Sequence, residues 1–377
     1  MRLVLVGDGN SPHLLKWARA LAPRVELWAV SSRGFDAGFD AVLPASRRLA
    51  LNTAPRFAGG NLLLLKSAPK LWSWLRRVQP DWLHAHYLTS HGTLAWLMRG
   101  AGIQARIAGS AWGSDILVTP RTSRTMRWIT QRVLRACTLT TSDSHDMAAR
   151  MVKLGAAEVM VFPFGLEAMP PLPNAKDDAL FFANRGLEPI YAPERVIDVF
   201  AAIAAGWPQA RLIVANSGSL LPALQAQVRQ LGLAARVQFT GRVDAAAQAT
   251  MYAKARWYLS LPRSDSVAVS LIEAMAQGCI PIVSDLAANR ELVDSLRNGI
   301  VLADGECPQA AQLRTQLQAQ LQAQLETLLP LAASIAEQNR GWVAEHAMFP
   351  AAVERFVQRL EQLSVPRSTP DAEPPPR

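Results

Sequence analysis

The sequence predicts an α/β protein built from two facing, doubly wound domains. Short β-rich runs alternate with helical patterns, and the alternation occurs twice along 377 residues. Such alternation builds parallel sheets covered by helices on both faces. Half of the residues are apolar, enough to bury two sizeable cores. A proline-rich break at Met169–Asn174, where neither periodicity continues, separates the halves. Rossmann-like domains of this kind bind ligands beyond the carboxyl ends of their strands and in the cleft between domains.

The elements follow in chain order. Arg2–Val6 is an apolar run that stops at Gly7-Asp8-Gly9. That is too short for a secretion signal, so it reads as a buried first strand. His13–Leu21 has helical spacing, as does Thr89–Arg99. Val25–Val30, Trp82–His86, Arg106–Gly109, Leu139–Thr141 and Val159–Phe162 read as the remaining strands of the first half. The second half offers strands at Leu180–Ala183, Leu212–Asn216, Val237–Thr240, Trp257–Ser260, Ile280–Ser284 and Ile300–Leu302, with a helix at Leu220–Leu231. Gln309–Gln324, rich in Ala, Gln and Leu, reads as a surface helix without function. The expected boundaries are 1–168 for the first domain and 175–345 for the second. A helix at 346–363 is expected to pack back on the first domain, and the proline-containing 364–377 to form a disordered tail.

Composition removes several classes of protein. No stretch approaches the ~18 uncharged apolar residues of a transmembrane helix, and a cytoplasmic protein is the expectation. Cys137, Cys279 and Cys307 suit neither a disulfide framework nor a zinc spacing and read as small buried apolar side chains. Charge is uneven: residues 1–165 hold 21 Lys and Arg against 9 Asp and Glu, a net of +12, and the remainder is mildly acidic. A partner that needs a positive surface therefore meets the first domain. Charge alone leaves nucleic acid, anionic lipid and phosphorylated saccharide open.

The most informative stretch runs from Ser264 to Gly278. It follows a strand, opens a helix and ends on glycine before the next strand. This order places the loop and helix start at the ligand edge, where the free N–H groups of Val267 to Ser270, Val269 among them, can receive a phosphate. Asp265 and Glu273 lie eight residues apart, and carboxylates accept hydrogen bonds from hydroxyls rather than phosphates. Spacing alone also allows an ordinary helix-start charge at Asp265 and a solvated Glu273. Arg185, just after a strand, is placed to offer a bidentate fork to a diphosphate. Asn216-Ser217-Gly218 ends another strand as a nucleotide-side loop.

In the first half, the loop Gly7-Asp8-Gly9-Asn10 permits close backbone approach to a phosphate or sugar, with Gly9 and Asn10 nearest the helix start. Pro12 breaks the dinucleotide fingerprint, which argues against a dehydrogenase. His84 and His86 share a face of their strand, but no ligand cluster accompanies them as a metal site would need. Asp115, just before Ile116-Leu117-Val118, suits a helix N-cap. Two basic clusters, Lys66, Lys70, Arg76 and Arg77 around Trp72 and Trp74, and Arg121, Arg124, Arg127, Arg132 and Arg135 around Trp128, are solvated faces or suit anionic lipid.

These motifs resemble the glycosyltransferase family 4 enzymes. The likeness rests on the two acidic residues separated by seven others and followed by Ala274-Met275-Ala276-Gln277-Gly278. It continues through Ile280-Pro281-Ile282-Val283-Ser284-Asp285, Asn289-Arg290-Glu291 and Asn298-Gly299. Arg185-Gly186-Leu187-Glu188-Pro189 is similar to the family's Arg-Leu loop, with Tyr191 where a Lys is usual and Asp265 where Glu is usual. Ser11-Pro12-His13 with Trp17, and Trp112-Gly113-Ser114-Asp115, add to it.

The resemblance implies a GT-B type fold and retaining transfer without an essential metal or other cofactor. It implies that Glu273 holds the ribose and that Asp265 sits near the donor sugar. It gives His86 the sugar hydroxyls, the stretch around Gly241 the base, Val269 and Ser270 the donor, and His13, Trp112 and Asp115 the acceptor side. The partners implied are a nucleotide-sugar donor, UDP-sugar ahead of GDP-sugar, and a saccharide or lipid-linked acceptor in cell-envelope synthesis. Contact with the inner face of the membrane through the basic domain is a further expectation, and nucleic acid is not. Two rivals share the architecture: a degenerate nucleotide-sugar-binding protein and a nucleotide-sugar epimerase.

Overall fold

The computed structural model describes residues 1–53, 66–173, 175–303 and 311–365, without the side chains of 311–316. Cys307, Asn174 and the tail 366–377 lie outside the described residues.

The apolar runs become two all-parallel sheets. The first has the order β3-β2-β1-β4-β5-β6-β7, with β1 Arg2–Gly7, β2 Glu26–Ser31, β3 Arg48–Ala50, β4 Trp82–His86, β5 Arg106–Ser110, β6 Leu139–Ser142 and β7 Val159–Val161. The second runs β10-β9-β8-β11-β12-β13, with β8 Asp177–Ala183, β9 Arg211–Ala215, β10 Val237–Gly241, β11 Ala255–Ser260, β12 Ile280–Ser284 and β13 Ile300–Leu302. Strand order reverses between β1 and β4 and between β8 and β11, so each sheet has a crevice at its carboxyl edge. The two-domain α/β reading thus holds. β3 was not anticipated, because three half-buried residues on a sheet edge carry no readable alternation. The segment read as the helix Thr89–Arg99 begins as a π-helical turn, Tyr87–Gly92, before the α-helix Thr93–Gly100.

The Ala/Gln/Leu-rich segment is not a surface helix. It forms Ala311–Leu328, and Leu317, Leu321, Leu325 and Leu328 are buried in the same core as Val199, Phe200 and Ile203 of the helix Pro193–Gly206. Leucines at steps of four and three make one apolar stripe, and the glutamines hide it. Residues 309–310 of that segment lie outside the described residues.

The chain crosses between the domains twice, and the crossings lie side by side. Leu166 N–H donates to Ala347 C=O at 2.8 Å and Phe349 N–H to Leu166 C=O at 2.8 Å. A Cβ on Gly165 would stand 1.8 Å from the Ala347 oxygen, so this crossing requires glycine. The last helix, Phe349–Ser364, returns to the first domain, where Phe349, Val353, Phe356 and Leu360 share a core with Leu3, Leu5, Trp17 and Trp82. Arg359 forks onto Glu158 at 2.7 and 2.8 Å, fixing the return.

Candidate active site

At the carboxyl edge of the second sheet, β11 leads through residues 261–268 into the helix Val269–Ala276, whose start lacks a side-chain cap. Glu273 points from this helix toward its neighbour, where its Oε2 accepts from Tyr252 Oη at 3.0 Å and Gln248 Nε2 at 3.1 Å. Burial pushes the Glu273 carboxyl up, while Tyr252, Lys16, Arg185 and Gln248 hold it back. Asp265 is ion-paired with Arg185 and accepts from Ser266 N–H at 3.0 Å. Burial raises the Asp265 carboxyl too, against the pull of Arg185.

Arg185 also donates to Ser270 Oγ at 3.2 Å and lies over the Tyr191 ring, 4.5 Å from its centroid. Its Nε is buried without a hydrogen-bond partner. Behind it, Tyr258 Oη donates to Ser270 Oγ at 2.8 Å and lies 2.9 Å from Asn184 Oδ1, and Asn184 Nδ2 donates to Tyr252 Oη at 2.8 Å. The result is a fixed guanidinium beside a carboxylate at a helix start, with a second carboxylate one layer in.

The loops after β8, β9 and β10 close the floor. Asn216, at φ 85°, donates to Asn184 C=O at 3.3 Å, and its own N–H reaches Gly241 C=O at 2.7 Å. A Cβ on Gly218 would lie 2.3 Å from Leu187 C=O, so glycine lets the two loops touch. Arg263, on the same loop, pairs with Glu194 on the exposed rim. Val269 packs against the first-domain core, at the meeting of the two domains.

From the first domain, Gly9 N–H donates to Ser31 Oγ at 2.8 Å and Asn10 is exposed beside it. The half-buried His13 ring lies 4.7 Å from that of Trp112, centroid to centroid. Burial, Lys16 and Arg185 lower the His13 pKa to about 4, so its ring is neutral at physiological pH. Trp112 Nε1 donates to His86 Nδ1 at 3.1 Å.

His86 is 2 % exposed and lies behind Trp112 among His84 and Trp17, with its Nε2 unpartnered. His86 is thus fully covered, whereas His13 is the more exposed of the two imidazoles. Asp115 is 1 % exposed, and both its oxygens are taken by the N–H groups of Leu88 (2.8 Å) and Trp112 (2.9 Å). It ties the Leu88 and Trp112 backbones together, and Gly113, not Asp115, stands at the N-cap position of the short helix there. Among the described residues, no group of three His, Cys, Asp or Glu is arranged to hold a metal.

The model for glycosyl transferases group 1 matches residues 166–337, and that for glycosyl transferase 4-like proteins matches residues 2–144. The chain belongs to the group 1 glycosyltransferases. Solved structures agree on the fold. HepE of Anabaena, in complex with UDP-glucose, is 16% identical over 97% of this chain and 99% of that one, with a TM-score of 0.73. Sucrose-phosphate synthase of Thermosynechococcus elongatus is 16% identical over 96% and 99%, with a TM-score of 0.76. The pneumococcal O-GlcNAc transferase GtfA, in complex with UDP and GlcNAc, is 8% identical over 96% and 99%, with a TM-score of 0.71. No curated protein matches by sequence.

For this glycosyltransferase, sequence reasoning missed the supports of the acidic pair. Tyr252 and Gln248 come from the preceding helix, Ala245–Lys254, and their spacing to Glu273 carries no pattern. A compositional signal existed. The chain has 4 tyrosines. Tyr191, Tyr252 and Tyr258 surround Arg185 and Glu273, and Tyr87 stacks on Trp112. Of the basic clusters, Trp74 is in the core, but Trp128 is 49% exposed with Arg132 over its ring. The helix Arg124–Ala136 that carries Trp128 is an amphipathic, arginine-rich face of the enzyme.

Proposed function

We propose that this glycosyltransferase moves a sugar, with retention, from a nucleotide-diphosphate sugar to a hydroxyl of a saccharide or lipid-linked acceptor. UDP-sugar is favoured over GDP-sugar, the pathway is cell-envelope polysaccharide or glycolipid synthesis, and no metal is needed. The observation that carries the reading is the pairing of Arg185 and Asp265 at the free start of Val269–Ala276, with Glu273 held by Tyr252 and Gln248 one turn in. Cation and N–H groups suit a diphosphate, and carboxylates suit ribose and sugar hydroxyls. HepE and GtfA, of the same fold, are in complex with UDP or UDP-glucose, which supports a uridine donor.

In this reading Glu273 accepts from the ribose hydroxyls and Arg185 stabilises the charge that grows on the departing diphosphate. The bond from the sugar's anomeric carbon to the diphosphate breaks as the acceptor oxygen bonds on the same face. The acceptor's proton passes to the diphosphate oxygen. Tyr191, in place of a second cation, presses Arg185 from below and keeps its fork in one orientation. The active site would face the cytoplasm, with the Trp128 helix against anionic lipid on the inner leaflet.

The test is transfer from a panel of UDP- and GDP-sugars to saccharide and lipid-linked acceptors, with and without chelator. Wild type should transfer in chelator, and Glu273→Ala should lose at least about 100-fold in kcat/KM. Nucleotide binding without turnover on any acceptor would identify a binding protein, and donor conversion without acceptor an epimerase.

A further inference from the structure

The donor loop is held from outside its own domain. Asp143 and Ser144 follow β6 in the first domain, and Ser266 lies in the second, next to Asp265. Ser266 Oγ donates to Asp143 Oδ1, and Ser266 Oγ and Ser144 Oγ are 2.7 Å apart. Val267 N–H also hydrogen-bonds the Asp143 carboxyl. All three side chains are buried, Asp143 at 6 % exposure, Ser144 at 1 % and Ser266 at 2 %. A second tie runs the other way: the carboxylate of Glu291, in the second domain, accepts the N–H groups of His145 and Asp146 at 2.9 Å each and so caps the helix His145–Leu154.

We propose that Asp143 is a positioning residue for glycosyl transfer, fixing the Asp265–Val267 loop from across the cleft so that domain closure sets the Arg185–Asp265 pair against the donor. The proposal rests on the donor-site reading above. Ser266 is the link: its N–H donates to Asp265 while its hydroxyl donates to Asp143, so a loop released on one side loosens on the other. The contact is also suited to being made and broken. Apolar surfaces would resist opening, whereas carboxyl, hydroxyl and amide groups exchange their partners for water with little net change, and a transferase must open to release its product. Burial pushes Asp143 up to about 8, so at neutral pH it is an uncharged group accepting through Oδ1, a part that an amide can also play.

The experiment compares Asp143→Ala and Asp143→Asn with the whole wild-type chain. Asp143→Ala should lower kcat by about 10- to 100-fold, because small misplacements at a reacting centre cost that much. Affinity for UDP should stay within about twofold, since Glu273 and Arg185 remain. Asp143→Asn should restore kcat to within about threefold of wild type. In parallel, hydrogen exchange is followed at the amides of 264–268 with UDP bound; it should quicken in the alanine variant and return to wild type in the asparagine variant. Ser266→Ala reaches the same contact from the other domain, and combined with Asp143→Ala it should add little further loss, which holds even if one single variant folds poorly. Unchanged exchange in Asp143→Ala, an equal kcat loss in both Asp143 variants, or additive losses in the pair would overturn the proposal. If wild type itself transfers no sugar, the exchange data still decide the loop contact and the failure falls on the proposed function.

Discussion

Glu273 is useful to a donor only if its carboxylate is held still and kept ionisable inside a half-dry site. Tyr252 shares the holding with Gln248: its hydroxyl lies 3.0 Å from both Glu273 Oε2 and Ser270 C=O, its one proton serving either, and accepts from Asn184. Tyr252→Phe keeps the ring's packing on Phe182 and removes these bonds. An unsatisfied buried acceptor costs about 1–3 kcal/mol, so urea unfolding should show a loss of that size. The UDP-induced rise in melting temperature should shrink as well; an unchanged rise would mean that Glu273 does not depend on Tyr252. Residue scale is also where sequence reading was weakest. Strand–loop–helix order placed Asp265, Glu273 and Arg185 at one sheet edge, where the structure brings them together, but spacing alone also allowed a helix-start charge and a solvated carboxylate, and it was the motif's family likeness that singled them out. The burial of His86 and Asp115 was not legible, because it depends on where Trp112 folds over β4 and β5, and no local spacing encodes that.

The elements were legible where burial is continuous. Parallel strands covered on both faces are near-unbroken apolar runs, so Leu3–Val6 or Ile280–Val283 announces itself in one dimension. The helix Ala311–Leu328 was misread because its glutamines and alanines outweigh a narrow leucine stripe. Its burial makes a sharp prediction. Leu321, fully buried among the second-domain core, should cost about 2–5 kcal/mol when replaced by alanine. A surface helix would lose under about 0.5 kcal/mol from the same change. Denaturant midpoints of Leu321→Ala beside Gln318→Ala, whose side chain is only half-buried on the same helix, separate the two cases.

At the scale of the whole molecule, the proposed membrane face and the proposed contact between the domains each make a prediction. The basic first domain carries Trp128 on an arginine-rich helix, with Trp96 edge-on to it. Co-sedimentation should therefore show binding to vesicles with anionic lipid and little to zwitterionic ones, weakened by salt and by Trp128→Ala. Equal binding to both vesicle types would remove charge as the cause. Closure is read through pH. His13, His84 and His91 are held down to about 4, 3 and 4 by burial, and His86 is lowered likewise, so near 6.5 they add a rise in stability with pH that fades only well above that value. Asp143 is raised, by burial first, from 3.8 to about 8, helped by the nearby charges of Asp265 and Asp115. The folded state therefore binds a proton that the unfolded state does not, and the stability this gives is lost as pH rises toward 8. Between pH 6.5 and 8 the stability of wild type should fall relative to that of Asp143→Asn, in which the histidine contributions are the same, by at most about 1.4 kcal/mol per pH unit for one proton. Asp143→Asn cannot titrate and should remove this contribution over the whole range from 3.8 to about 8, leaving the opposing rise that comes from the buried histidines. Equal slopes in the two melting-temperature profiles would assign the proton elsewhere and leave Asp143 ionised at the contact between the domains.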